Sequence, residues 1–419
     1  MKRLGIAVLI STSTLVAIGV TLAAPAKRPA KASKAAKAAT AAKASTAAKP
    51  ATGVKPSTNT ADWYVSPVTN QPTWVRPTAI PEGEEGELIR YGIELTKNTY
   101  KLLGPTSKTP YFTKRHNCTN CHLDLATAAF SSPWVVASLK FGGDGLYQPR
   151  EGHRVTIASR IDECFRRTLG GKPLPHDSRE ERALEAYMRW LSTGIKVKPT
   201  PAKHPGKGAP AASEDWKNVI GLGTPEVPLL DRAADPEHGK QVFMKMCSPC
   251  HGEDGGGTFD AAKDRIIFPP LWGPNAFGES AGMAMLPFAV KFIKANMPYG
   301  FANASDPTRQ LSVDDAWDVA AYVVYQPRMP YPDSAKDWSG YGADCMPNWI
   351  NKNPASGYPP YFPRVKPDGT LTGDLNYPAK YSEKQHKYGP YKEIFADLEK
   401  LKAEYRKHPN TPPNCTPWP

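Results

Sequence analysis

Cys118-Thr119-Asn120-Cys121-His122 and Cys247-Ser248-Pro249-Cys250-His251 are the two stretches around which the chain is organised. Each reads C-x-x-C-H, the pattern of covalent heme attachment. The spacing has a chemical reason. Two thiols three positions apart each add to one vinyl group of a single porphyrin, and the His that follows ligates the iron from the proximal face. A redox C-x-x-C does not require that His, and chance does not place the pattern twice in 419 residues holding only 7 Cys and 9 His. The expectation is therefore a diheme c-type cytochrome with two covalently attached heme c. Cys118, Cys121, Cys247 and Cys250 carry the thioethers, and His122 and His251 are axial ligands.

The compartment follows from the start of the chain. Met1-Lys2-Arg3 precedes an uncharged run from Leu4 to Ala26 that contains the small-residue sequence Ala23-Ala24-Pro25-Ala26. Residues 1–26 thus read as a secretory signal peptide, or as a membrane anchor if the run stays uncleaved. No other long apolar run follows, and no Cys near the cleavage point supports a lipid anchor. Export and covalent heme agree on the periplasm. The formal charge of +13 invites a nucleic-acid reading, but its location argues against one. Ten of the positive charges, from Lys2 to Lys55, precede the first acidic residue, Asp62, and without them the balance falls to +3.

The rest of the chain divides by composition. Residues 27–60 are Ala, Lys, Pro, Ser and Thr with almost nothing large, a disordered tether. Residues 61–194 form the first cytochrome c domain. Its helices are expected over 84–103, over 160–168, and from the capping box Ser178-Arg179-Glu180-Glu181 to Gly194. Residues 123–157 read as irregular. Residues 195–230, rich in Pro and Gly, are a linker. Residues 231–326 form the second cytochrome c domain. It opens on Asp235-Pro236, an N-cap with Pro at the first helical position. A short helix over 288–295 leads to Met297-Pro298, and Ser312 caps a closing helix. Residues 327–419 hold many Pro and Tyr and one credible helix, 391–405, and read as a strap over both heme domains. The fold class is all-α.

Three cysteines remain. Cys345 and Cys415 lie in the C-terminal extension, and an oxidising compartment favours pairing them; closing that loop contributes about 4 kcal/mol in the chain-entropy model. Cys164 is the odd one. It is either a buried, inert small hydrophobe or an iron ligand. The first domain has no Met between His122 and Met188, which leaves its heme without an obvious Met ligand, and thiolate is a legitimate axial ligand. For the second heme Met297 is the natural sixth ligand, with Met283 and Met285 in a Gly-rich loop as alternatives.

These residues resemble the diheme thiosulfate dehydrogenases. Asn117-Cys118-Thr119-Asn120-Cys121-His122-Leu123-Asp124 is similar to the family's first heme motif, and Arg160-Ile161-Asp162-Glu163-Cys164-Phe165-Arg166-Arg167-Thr168 is the most specific part of the likeness. Ala186-Tyr187-Met188-Arg189-Trp190-Leu191-Ser192 and Phe292-Ile293-Lys294-Ala295-Asn296-Met297-Pro298 continue it, over roughly residues 85–326. The resemblance implies oxidation of two thiosulfates to tetrathionate, reversibly in some members. It also implies an active-site heme with His122 and Cys164 as axial ligands and Arg150 and Arg160 beside it. Thr168 stands where the family has Ser and keeps the hydroxyl. Some members carry Lys before the Met ligand of the second heme; this chain has Asn296 there.

Thiosulfate is a dianion, so Arg150 and Arg160 suit it as bidentate donors to sulfonate oxygens. Thiolate lowers and Met raises an iron potential, so electrons are expected to pass from the first heme to the second. From there they leave to an external acceptor such as a small cytochrome c. Two other readings share the heme motifs. A plain electron-transfer cytochrome would leave Cys164 inert. The heme subunit of a multi-protein sulfur-oxidation complex also has a Cys-ligated heme, but it would not need a Met-ligated domain in the same chain.

Overall fold

The computed structural model describes residues 79–135, 137–143, 145–148, 153–193, 221, 223–332 and 383–396, with the strand segments 63–65 and 72–74. The expected signal peptide and tether, Arg150, Cys345 and Cys415 lie outside the described residues. Among those described, no helix is long and apolar enough to cross a membrane.

The first lobe rests on helices α1 (Gly83–Lys97), α2 (Ile157–Glu163) and α3 (Arg179–Ser192). Glu84 and Glu85 in the first turn of α1 and Lys97 in its last complement the helix dipole. Gly86, Ile89, Gly92 and Thr96 form its buried stripe, at the spacing of one helical face. The stripe lies on α3. A Cβ on Gly92 would stand 2.2 Å from the Ala183 carbonyl oxygen, so only glycine permits the helices to cross there. The expected helix over 84–103 instead breaks at Asn98 and resumes as a single turn, Thr99–Leu102. The break serves the first heme motif: the Thr99 hydroxyl accepts from the Cys118 amide at 3.0 Å, and Asn117 Oδ1 accepts from the Tyr100 amide at 3.1 Å.

Ser178 caps α3 by accepting from the Glu181 amide at 3.2 Å, an interaction that contributes about 1 kcal/mol. The reciprocal bond of a capping box is displaced by one residue, because Glu181 Oε2 accepts from Asp177 N at 2.6 Å. Thr156 and Ser159 cap α2 reciprocally. The helix expected over 160–168 begins earlier and changes type, continuing beyond α2 as a π-helical turn over Cys164–Thr168.

The second lobe crosses α4 (Pro236–Met246) with α6 (Val313–Val324), and α5 (Leu286–Asn296) packs on α6. The α4–α6 crossing is at Gly239, where a Cβ would meet the Asp318 carbonyl oxygen at 1.9 Å. Asp318, with its side chain 1% exposed, locks the start of α4 to α6. Its carboxylate accepts from Arg232 Nη1 and Nη2 at 2.8 and 2.9 Å, the Asp235 amide at 2.8 Å and His238 Nδ1 at 2.8 Å. Phe243 packs against Trp272 and Tyr322.

The described structure is helix-rich, with three two-stranded antiparallel hairpins that the sequence did not suggest. They are β1 (Trp63–Val65) with β2 (Pro72–Trp74), β3 (Leu146–Gln148) with β4 (His153–Val155), and β5 (Thr258–Asp260) with β6 (Arg265–Phe268). Strands this short carry no readable alternation. The third hairpin joins the lobes. Phe259 and Ile266 pack against the core of the first lobe, the Arg115 guanidinium sits 4.4 Å over the Phe259 ring, and the Tyr100 hydroxyl donates to the Asp264 carbonyl oxygen. Further contacts join the lobes between the Gly278 amide and the Thr168 carbonyl, Asn296 Nδ2 and the Phe130 carbonyl, and the Tyr299 hydroxyl and Asp124.

Two parts of the C-terminal extension are described. Residues 328–331 run between the lobes, with Tyr331 under the Arg167 guanidinium. Further on, α7 (Glu383–Tyr388) and helical residues 392–396 seat Tyr391 and Ile394 in the core of the second lobe.

Candidate heme centres and active site

Cys118, Cys121 and His122 sit on a 3-10 turn, Cys118–Asn120, closed by reciprocal bonds between Asn117 and Asn120. His122 Nδ1 is 2.7 Å from the Ser132 carbonyl oxygen. A carbonyl only accepts, so Nδ1 carries the proton and the Nε2 lone pair is left for iron. Trp134 packs against the ring at 5.0 Å. Burial lowers the imidazole pKa to about 4, so the ring is neutral, as a ligand must be. The loop that brings Ser132 to His122 is strained: Asp124, Leu125, Ala126, Phe130 and Ser132 all have φ between +51° and +64°. Non-glycine residues adopt that region rarely, and such strain collects at functional sites.

Cys164 approaches this motif from the π turn, near enough to push the Cys118 and Cys121 thiols further up after burial has done so. Burial also raises the Cys164 thiol, while a hydrogen bond from the Thr168 hydroxyl and the charge of Arg160 oppose it. Burial wins, and the Cys164 thiol stays above its ordinary value. Arg160 and Arg167 are not both turned to an anion in the site. They share the buried carboxylate of Glu163, Arg160 through Nη1 and Arg167 at 3.5 Å, and the Arg160 side chain is 50% exposed. Arg154 is tied to the Gly145 carbonyl at 2.6 Å.

The second motif ends α4 and opens a short helix, Ser248–His251. Here His251 Nδ1 donates to the Pro269 carbonyl oxygen at 2.8 Å, and burial lowers the ring's pKa. Cys247, Cys250 and His251 line an apolar cavity. Met297, the C-cap of α5, also lines it, and so does Met283 on a 3-10 turn; Met285, the N-cap of α5, does not. Asn296, just before Met297, is buried and bonded to Phe130 and Phe292. Two thiols, a neutral imidazole with a free Nε2 and an apolar lining are the donors and surroundings that a covalent heme needs. The first motif has the same donor set.

Sequence reading missed the first lobe's share of this chamber. His116, Asn120 and Cys121 line it from the first lobe, so the two motifs meet at one wall. It also missed Lys114, which is completely buried. A Lys-x-His two residues before the motif carries no signal of burial by itself.

Comparison with known proteins agrees with this chemistry. The model of cytochrome c oxidase, cbb3-type, subunit III matches residues 234–323. The thiosulfate dehydrogenase of Allochromatium vinosum is 34% identical over 262 residues, which cover 62% of this chain and 84% of that protein. The one from Thiomonas intermedia is 30% identical and covers 72% of this chain and 82% of its own length. The solved thiosulfate dehydrogenase TsdBA of Marichromatium purpuratum superposes with a TM-score of 0.54 at 27% identity, over 72% of this chain and 58% of that one. The chain belongs to the thiosulfate dehydrogenase family of oxidoreductases and is a cytochrome carrying covalently bound heme c.

Proposed function

We propose that this chain is an exported diheme cytochrome that joins two thiosulfates into tetrathionate. Cys118 and Cys121 would hold the heme where the reaction takes place, with His122 and Cys164 as its iron ligands. Cys247 and Cys250, with His251 and Met297, would hold a second heme that would supply the way out for electrons to an external acceptor such as a small periplasmic cytochrome c. Two thiosulfate dianions form one sulfur–sulfur bond and give up two electrons; no proton enters or leaves. When bound, the hemes supply the iron that accepts those electrons singly.

The residues divide the remaining work. Arg160, half-exposed at the edge of the π turn, and Arg150 hold sulfonate oxygens and offset the repulsion between two dianions. The Thr168 hydroxyl fixes the Cys164 sulfur by its hydrogen bond. Ser132 and Pro269 hold the two imidazoles in the tautomer that leaves Nε2 to the metal.

The observation that carries the reading is Cys164 itself. A plain electron carrier has no use for a half-buried thiol on a π-helical turn, hydrogen-bonded by a hydroxyl and set beside the first heme motif with an arginine four residues before it. π turns inside helices are frequent at functional sites. The test is thiosulfate-dependent ferricyanide reduction by the purified diheme protein, with tetrathionate quantified as product. Heme reduction without tetrathionate would return the chain to electron transfer alone.

A further inference from the structure

Between the two lobes lies a group of buried cations that the reaction does not use. Lys114 is 0% exposed and Arg328, the second residue of the C-terminal extension, is 5% exposed. A full charge is taken out of water only with a counter-charge close by. Among the described residues Lys114 makes no ion pair; its ammonium donates to the Thr168 carbonyl oxygen at 3.2 Å. Arg328 spends Nη1 and Nη2 on the carbonyl oxygens of Leu271, Phe277 and Val323 and stacks on the Phe277 ring at 4.3 Å, but its Nε–H has no acceptor. His116 is equally buried, and its Nδ1 also has no partner.

These groups stand at the edge of the second chamber. Leu271 and Phe277, which hold Arg328, line that chamber, and so does His116. Lys114 is two residues before His116, and its Nζ stands 3.5 Å from where a Cβ on Gly278 would lie, the residue after Phe277. Glu279 is the carboxylate near Arg328, and it also accepts from the Tyr331 amide at 2.8 Å. One carboxylate against two cations leaves a positive charge and two nitrogens without a partner beside an apolar cavity. Heme c brings two carboxylates of its own.

We propose that Arg328, Lys114 and His116 form the pocket that seats a propionate of the second heme. This rests on the diheme reading above. It gives the start of the C-terminal extension a role in holding the cofactor: Arg328 anchors the second heme from one side, and Lys114 reaches it from the first lobe while bonding the carbonyl of Thr168. Burial lowers Lys114 to about 8 and Arg328 to about 9 in the chain alone, and a bound carboxylate restores both as firm cations.

The test uses the diheme holoprotein and the variants Lys114→Met, Arg328→Lys and Arg328→Gln. Heme content is measured first. Resonance Raman spectra then report the propionate bending bands, and a redox titration reports the midpoint potential of each heme. Lys114→Met and Arg328→Gln are expected to move a propionate band and lower the midpoint of the second heme, because a removed cation favours the ferric state, while the first heme stays in place. Arg328→Lys keeps the charge, so it moves the band with a smaller change in midpoint. Unaltered bands and midpoints in Lys114→Met, or a shift confined to the first heme, overturns the proposal. If Arg328→Gln fails to accumulate, Lys114→Met and Arg328→Lys decide it. A wild-type protein with a single heme would overturn the diheme reading as well, which separates the two failures.

Discussion

Arg160→Gln separates substrate binding from fold maintenance. The guanidinium is half-exposed and bonded on one side to Glu163, whose carboxylate is buried and also held by Arg167 at 3.5 Å. Removing the Arg160 charge therefore leaves Glu163 with a cation. The pair it breaks is exposed on the Arg160 side, so the unfolding free energy is expected to change by less than about 1 kcal/mol. Substrate feels the loss directly. One charge-assisted contact to a sulfonate is worth about 1.5–3 kcal/mol, which at 1.36 kcal/mol per decade is roughly a tenfold to hundredfold fall in kcat/KM. The assay is thiosulfate-dependent ferricyanide reduction with heme content matched between variant and wild type, alongside a denaturant melt of each. A wild-type kcat/KM in Arg160→Gln refutes the assignment. So does a stability loss of several kcal/mol, because it would make Arg160 a structural ion-pair partner of Glu163.

Cys164→Gly is expected to keep both hemes, since all four thioether cysteines are untouched, but to lose tetrathionate formation and the low-spin thiolate signature in electron paramagnetic resonance. A fully active variant would show that the thiol is inert. Met297→Gly is expected to remove the near-infrared charge-transfer band of a Met-ligated ferric heme, and Met283→Leu to leave it; the opposite pattern moves the ligand to Met283. Asp318→Asn is expected to destabilise the holoprotein by about 3 kcal/mol in a urea melt, because it breaks a buried charged network at the α4–α6 crossing. The same network sets a pH window. Burial raises Asp318, but Arg232, the Asp235 amide and His238 outweigh it and hold the carboxyl below the usual range. That stability is present above the ordinary carboxylate pKa and is lost as pH falls through the lowered value. His238 is raised by Asp318, so its share is present below the ordinary imidazole pKa and is lost as pH rises through the raised one. Melting midpoints measured across pH should flatten at both ends in Asp318→Asn.

Local chemistry was legible in the sequence where neighbours along the chain decide it. Ser178, Asp235 and Ser312 announce helix starts because a side-chain oxygen reaches an amide two or three residues on; Thr156 does the same for α2, and the sequence reading passed over it. The C-x-x-C-H motifs are legible for the same reason. What the sequence hid was decided across distance. The helix over 84–103 breaks because Thr99 and Tyr100 are claimed by Cys118 and Asn117, and nothing near Asn98 says so. Arg160 and Arg167 are the exception: they flank Glu163 three residues before and four after, the spacing of helical ion pairs, a local signal that the sequence reading passed over. The run of left-handed residues after His122 contains Asp, Leu and Ala rather than glycine, so no turn residue marks it; the need to carry Ser132 to the imidazole does. Lys114 reads as an ordinary surface cation until the second lobe closes over it.

The wall that the first lobe lends to the second motif's cavity has a consequence for how the lobes hold together. Cys121 and His116 face the second cavity from the first lobe, and Asn296 and Tyr299 bind back across the same boundary. Whatever fills that cavity touches both lobes at once. A group bound only where the lobes meet stabilises their meeting by its own binding free energy, so loading the second motif and holding the lobes together are one equilibrium.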